Sequence, residues 1–113
     1  MNVRLDGKSV RLRLSEKEFV SLREGTAVSE KVPFPGGRAM RFSVGVGGKA
    51  NLVFDNSSVI VWVTGREVEA LAAELLSGAT SATRGSGIHF EVLGSDGKIL
   101  KVSVQVDLFK RMA

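Results

Sequence analysis

Residues 2–22 read NVRLDGKSVRLRLSEKEFVSL, residues 51–71 read NLVFDNSSVIVWVTGREVEAL, and the two overlay without a gap at a constant offset of 49. Asn2 falls on Asn51, Asp6 on Asp55, Ser9 on Ser58, Val10 on Val59, Glu18 on Glu67 and Leu22 on Leu71. Apolar positions match between these identities: Val3 with Leu52, Leu5 with Phe54, Leu12 with Val61, Leu14 with Val63, and Phe19 with Val68. Self-similarity at a fixed spacing marks a repeated supersecondary unit. A second block, residues 28–46 over 88–106, aligns at an offset of 60 and matches Val32 with Val92, Gly37 with Gly97, Met40 with Leu100 and Arg41 with Lys101. The offset grows because a longer loop follows the helix of the second half. The 113 residues read as one domain made of duplicated halves, 1–49 and 50–113.

Each half reads as strand, strand, helix, strand, strand. Val3/Leu5 and Val10/Leu12/Leu14 alternate with polar residues, the period of a half-buried strand. Asp6-Gly7 marks the first hairpin turn through a positive φ at Gly7, and Asp55-Asn56 marks its counterpart. Ser15 with Glu18, and Thr64 with Glu67, have the spacing of a capping box at a helix start. Helix one ends near Gly25. In helix two, Val68, Leu71, Ala72, Leu75 and Leu76 form an apolar stripe that Gly78 terminates. Met40/Phe42/Val44/Val46 and Leu100/Val102/Val104/Val106 alternate as closing strands, with a turn at residues 95–98. Pro33 cannot donate to a ladder, which assigns the strand around 28–34 to a sheet edge. Residues 79–87 carry no periodicity and read as a mobile loop. The fold class is α+β, mainly antiparallel, with about eight strands and two helices. Two architectures fit: a pseudo-twofold sandwich flanked by helices, or a small barrel whose ends the helices plug.

Where the repeats differ, function is sought. Arg4, Arg11 and Arg13 lie opposite the Val/Leu face of the first hairpin, and the matching positions of the second are Val53, Ile60 and Trp62. Residues 1–49 carry a net charge of +5, and residues 50–113 carry −1. The arginines form either a solubility face or an anion clamp, which Arg41 and Lys31 extend if their strands lie alongside. Val53, Ile60 and Trp62 are either covered, by helix two or the 79–87 loop, or open to a partner, a ligand or a second copy.

Most chemistry drops out. There is no Cys and one His, which excludes disulfides, thiolate sites and a multi-histidine metal centre. The Gly45–Lys49 stretch lacks phosphate-loop spacing and reads as a flexible turn joining the halves. His89 and Glu91, two apart on one strand face, are the sole candidates for proton transfer. The longest apolar run, residues 59–63, is too short to span a bilayer, and Arg4, Asp6 and Lys8 occupy positions where a signal peptide is apolar. The expectation is a cytoplasmic protein with no cofactor and no metal.

Asn2-Val3-Arg4-Leu5, followed by Ser9-Val10-Arg11-Leu12-Arg13-Leu14-Ser15-Glu16-Lys17-Glu18, resembles the opening of an uncharacterised family of small bacterial proteins. Residues 51–63 and 99–109 are similar to its second hairpin and last strand. The resemblance implies a basic hairpin leading into a short, acid-capped helix. It carries over no activity and no site residue. It also leads one to expect a Cys after the last Phe and an acidic tail, where this chain has Lys110-Arg111-Met112-Ala113. The first reading is a non-catalytic binding module meeting a protein partner or itself through Val53, Ile60 and Trp62. The alternatives are polyanion or nucleic-acid binding through Arg4, Arg11, Arg13 and Arg41, and an enzyme using His89 and Glu91. No aromatic interleaves with the arginines to stack bases.

Overall fold

The computed structural model describes residues 1–76 and 87–107. The elements are β1 (Asn2–Leu5), β2 (Ser9–Ser15), α1 (Glu16–Arg23), β3 (Val28–Phe34), β4 (Arg38–Gly47), β5 (Asn51–Asp55), β6 (Ser58–Thr64), α2 (Gly65–Leu76), β7 (Ile88–Leu93) and β8 (Ile99–Asp107). Gly78 and residues 79–86, to which a helix stop and a mobile loop were assigned, lie outside the described residues.

Alternation sets the strands. In β2, Val10, Leu12 and Leu14 are buried while the residues between them are not; Val59, Val61 and Val63 repeat the pattern in β6. Both capping boxes form. Ser15 Oγ accepts the Glu18 N–H at 3.1 Å, and the Glu18 carboxylate accepts the Ser15 N–H at 2.8 Å. Thr64 and Glu67 make the same exchange at 3.1 and 2.9 Å. Gly25 closes α1 at φ 94°, a left-handed conformation a Cβ would strain, while Gly25 and Thr26 donate to the Leu22 and Ser21 carbonyls.

The two opening hairpins turn differently. Gly7 does not take the positive φ that Asp6-Gly7 suggested. Instead, the Asp6 carboxylate accepts the Lys8 N–H at 2.7 Å and the Ser9 hydroxyl at 2.9 Å, so the side chain builds the turn. Left-handed residues appear in the matching turn, Asn56 at φ 48° and Ser57 at φ 65°.

The strands form two four-stranded sheets, ordered β1-β2-β8-β7 and β3-β4-β6-β5. Pairs β2/β8 and β4/β6 are parallel and the other four antiparallel, so each sheet is mixed, with its parallel pair at the centre. Each sheet joins the opening hairpin of one half to the closing hairpin of the other. Exchanging β1–β4 with β5–β8 converts one sheet order into the other, and the register follows. Arg4 opposite Arg11 becomes Val53 opposite Ile60, Arg13 opposite Gln105 becomes Trp62 opposite Gly45, and Ser9 opposite Lys101 becomes Ser58 opposite Arg41. β3, with Pro33, is an edge strand.

Among the described residues neither sheet closes on itself, so the sandwich is the observed architecture and the barrel is not. Its interior holds Leu12, Leu14, Val44, Val61, Val63, Val102 and Val104, with Phe19 and Leu22 of α1 and Val68, Leu71, Ala72 and Leu75 of α2. Each helix touches strands of both sheets, and the helices touch one another. They therefore cover the end where β2 and β6 finish, and Arg23 binds Glu69 through two bonds of 3.0 Å.

The Met1 ammonium binds Glu18 at 3.2 Å and Glu30 of β3 at 3.3 Å, joining the two sheets along one margin. Burial opposes its charge, but bonds to the two carboxylates prevail and raise its pKa above the ordinary value. Glu18 mirrors this: burial pushes its carboxyl up, while the Ser15 N–H and the ammonium outweigh it and bring it below the usual range.

Candidate functional site

The residues that distinguish the halves occupy the outer faces of the two sheets, because the inward positions of β2, β6 and β8 supply the core. On the first sheet the register builds rows across the strands. One runs Arg4, Arg11, Ser103, His89; the next runs Asn2, Arg13, Gln105; a third runs Ser9, Lys101, Glu91. Neighbours in a row are about 4.8 Å apart and rows about 7 Å apart, by the ordinary spacing of strands.

These rows enclose a shallow concavity of about 620 Å³, floored by Ser9, Arg11, Ser103 and Gln105 and walled by His89, Glu91, Lys8 and Lys101. Beside it lies a notch of about 20 Å³ formed by Asn2, Arg4, Arg11 and Arg13 alone. Arg11 lines both. Its Nε–H is shut off from solvent and has no hydrogen-bond acceptor among the described residues. A closed-off donor of this kind costs free energy unless something accepts from it. Arg4 stands directly opposite Arg11 on the neighbouring strand, an arrangement in which like charges repel. The nearest acid along the chain, Asp6, is committed to its own turn. Its pKa is lowered by the Lys8 N–H first and the Ser9 hydroxyl second.

Arg41 and Lys31 do not extend this patch. Arg41 pairs with Ser58 and with Lys31 on the second sheet, because the halves exchange hairpins and β4 lies beside β6 rather than β2. The basic neighbour of the arginines is Lys101, the repeat counterpart of Arg41, which stands across from Ser9 and Glu91. The alignment of Arg41 with Lys101 held this information, but only the strand exchange tells which of the two joins the arginines. The same exchange brings His89 and Glu91, read separately in the sequence, onto the arginine face. Both are exposed there.

On the outer face of the second sheet, Val53 is 37 % exposed, and Ile60 and Trp62 are half-buried. Helix α2 does not cover them; its apolar side is spent in the core. The Trp62 indole lies instead across Gly45 and Gly47. A Cβ on Gly45 would fall 2.8 Å from Trp62 Cζ3, and one on Gly47 would fall 3.3 Å from Cε3. Gly45, Val46 and Gly47 are therefore part of β4 and not a flexible turn, and the connection to β5 is residues 48–50. The glycines that suggested a loop are a seat for the ring.

Among the described residues no three His, Cys, Asp or Glu side chains gather as a metal would require, and no helix is long and apolar enough to cross a membrane. No curated protein matches the chain. The model of a family of unknown function, DUF7009, matches residues 1–108. The chain belongs to that family of unknown function.

Proposed function

We propose that this chain is a non-catalytic binding module whose working surface is the outer face of the first sheet, and that its ligand is an anion. The observation that carries the reading is Arg11. Its buried Nε–H lacks an acceptor among the described residues, its neighbour Arg4 is another guanidinium, and Arg13 shares the same notch. An oxyanion seated there accepts from Arg11 and removes the repulsion between the arginines in one step. The reading includes a cytoplasmic location, supported by the absence of Cys, and an origin of the halves by duplication, supported by their equivalent registers. The reading also includes a bacterial origin, supported by the resemblance of the opening residues.

The test is a calorimetric titration with inorganic tripolyphosphate at about 50 and 200 mM salt, where screening lengths differ about twofold. Binding that weakens with salt and is lost in Arg11→Ala/Arg13→Ala supports the site. No heat at low salt, or equal binding by the double variant, overturns it.

A second reading rests on Val53, Ile60 and Trp62, an apolar strip on the other sheet suited to a second copy of the chain or a protein partner. Sedimentation of the wild type and Trp62→Ser decides the self-association form. A concentration-dependent dimer that the substitution abolishes supports it, and a monomer at all concentrations removes it.

A further inference from the structure

We infer that the ligand of the arginine face is a compact phosphorylated polyol, a small hydroxyl-rich molecule ending in a phosphomonoester; this rests on the anion-binding reading above. Three features of the face select this class. First, the three arginines gather. Arg4, Arg11 and Arg13 line one notch with Asn2, and a terminal group having three free oxygens can accept from all three guanidiniums. Second, acids bound the patch: Glu91 stands on the outermost strand β7, and Asp107 closes β8 opposite Ser15. A polyanionic strand crossing the sheet would run onto the Glu91 carboxylate. No Phe or Trp occupies an outward position of these four strands among the described residues, so bases find no stacking platform.

Third, the surface beyond the notch is polar and of mixed charge. Ser103 stands one strand from Arg11, Gln105 one strand from Arg13, and Glu91 beside Lys101. A hydroxyl, an amide and a carboxylate are the groups that hold sugar-like hydroxyls, accepting and donating in turn. From β1 to β7 the face spans three strand spacings, about 14 Å. That length accommodates a phosphate and a chain of three to six carbons. A concavity of about 620 Å³ is in the size range of small-molecule sites.

The experiment is calorimetry on the full chain with inorganic phosphate, glycerol 3-phosphate, ribose 5-phosphate, glucose 6-phosphate, unphosphorylated glucose, and an eight-residue oligothymidylate. At least one phosphorylated polyol is expected to bind ten times more tightly than inorganic phosphate, with no measurable binding of glucose. Arg4→Ala is expected to weaken phosphate and polyol phosphate alike, by about tenfold or more. Glu91→Gln combined with Gln105→Ala is expected to bring the polyol phosphate down to the affinity of phosphate and leave phosphate unchanged. Fluorescence of Trp62, on the opposite sheet, reports that each variant is folded. Phosphate bound as tightly as every polyol phosphate overturns the polyol assignment while the anion site stands. Oligothymidylate bound more tightly than any of them overturns it in favour of nucleic acid. Binding of none removes both.

Discussion

The two outer faces of this sandwich are built on one register and carry opposite chemistry. Arg4, Arg11 and Arg13 on the first sheet stand where Val53, Ile60 and Trp62 stand on the second, and Gln105 stands where Gly45 does. The second face resolves its own surface: Trp62 lays its ring on glycines that leave room for it. The first does not, since two arginines oppose one another and the Arg11 Nε–H has no acceptor among the described residues. With the backbone nearly held constant, the difference lies in the side chains alone, and it is the ground for proposing that an anion completes the arginine face. Inside, the halves agree, with Leu12 matched by Val61 and Leu14 by Val63, all four fully buried.

Substitutions in the shared interior are expected to have the largest effect and to erase the contrast. Leu12→Ala on the first sheet and Val61→Ala on the second both open cavities at fully buried sites, costing about 2–5 kcal/mol for the leucine and somewhat less for the valine. Urea denaturation should show lower midpoints with unchanged slopes. A cost for one alone would show that the sheets do not share a core.

Gly45→Val comes next. Even its Cβ falls 2.8 Å from the indole, so the ring must lift, at about 1–3 kcal/mol, with a red shift of the single-tryptophan emission. The register equivalent, Gln105→Ala, removes nothing the core needs and should stay within about 0.5 kcal/mol. Equal costs would mean that Gly45 is not a seat for Trp62.

The opening turns should respond to glycine with opposite signs. Ser57→Gly relieves a left-handed residue and should gain about 0.5 kcal/mol. Lys8→Gly, at the matching position without positive φ, should lose a similar amount. Thermal denaturation of the pair reads both, and a loss at both positions would refute the difference between the turns.

The smallest effect is a pH dependence confined to one helix start. The Glu18 pKa is lower folded than unfolded, so the folded state binds fewer protons near that range. Its stabilisation is complete above the unfolded value of about 4.3 and is lost as pH falls through the folded value. The Met1 ammonium, raised in the folded state, contributes fully below about pH 8 and loses its contribution as pH rises through its folded value. Glu18→Gln should flatten the acid limb and weaken the alkaline one. Glu67→Gln, in a capping box that Glu67 shares with Thr64 and no ammonium among the described residues, should leave the alkaline limb intact.

Much of the fold was legible because it is written in local patterns. Alternation in residues 10–14 and 59–63, two capping boxes and Pro33 gave strands, helix starts and an edge that the structure contains. Sheet membership was not legible, because the exchange of hairpins between the halves is a long-range choice that local propensity does not encode. That choice moved Arg41 off the arginine face and put Lys101, His89 and Glu91 on it. Gly7 and Gly45 misled for a related reason. Glycine signals either a turn or a close approach, and only the Asp6 side chain and the Trp62 ring distinguish the two.

The most direct test of the central claim is an amide chemical-shift titration of the full chain with tripolyphosphate, reading both faces at once. Saturable shifts are expected at Arg4, Arg11, Arg13, Lys101 and Ser103, with Val53, Ile60 and the Trp62 indole N–H unmoved. Shifts centred on Val53, Ile60 and Trp62, or no saturable shift on either face, would contradict it.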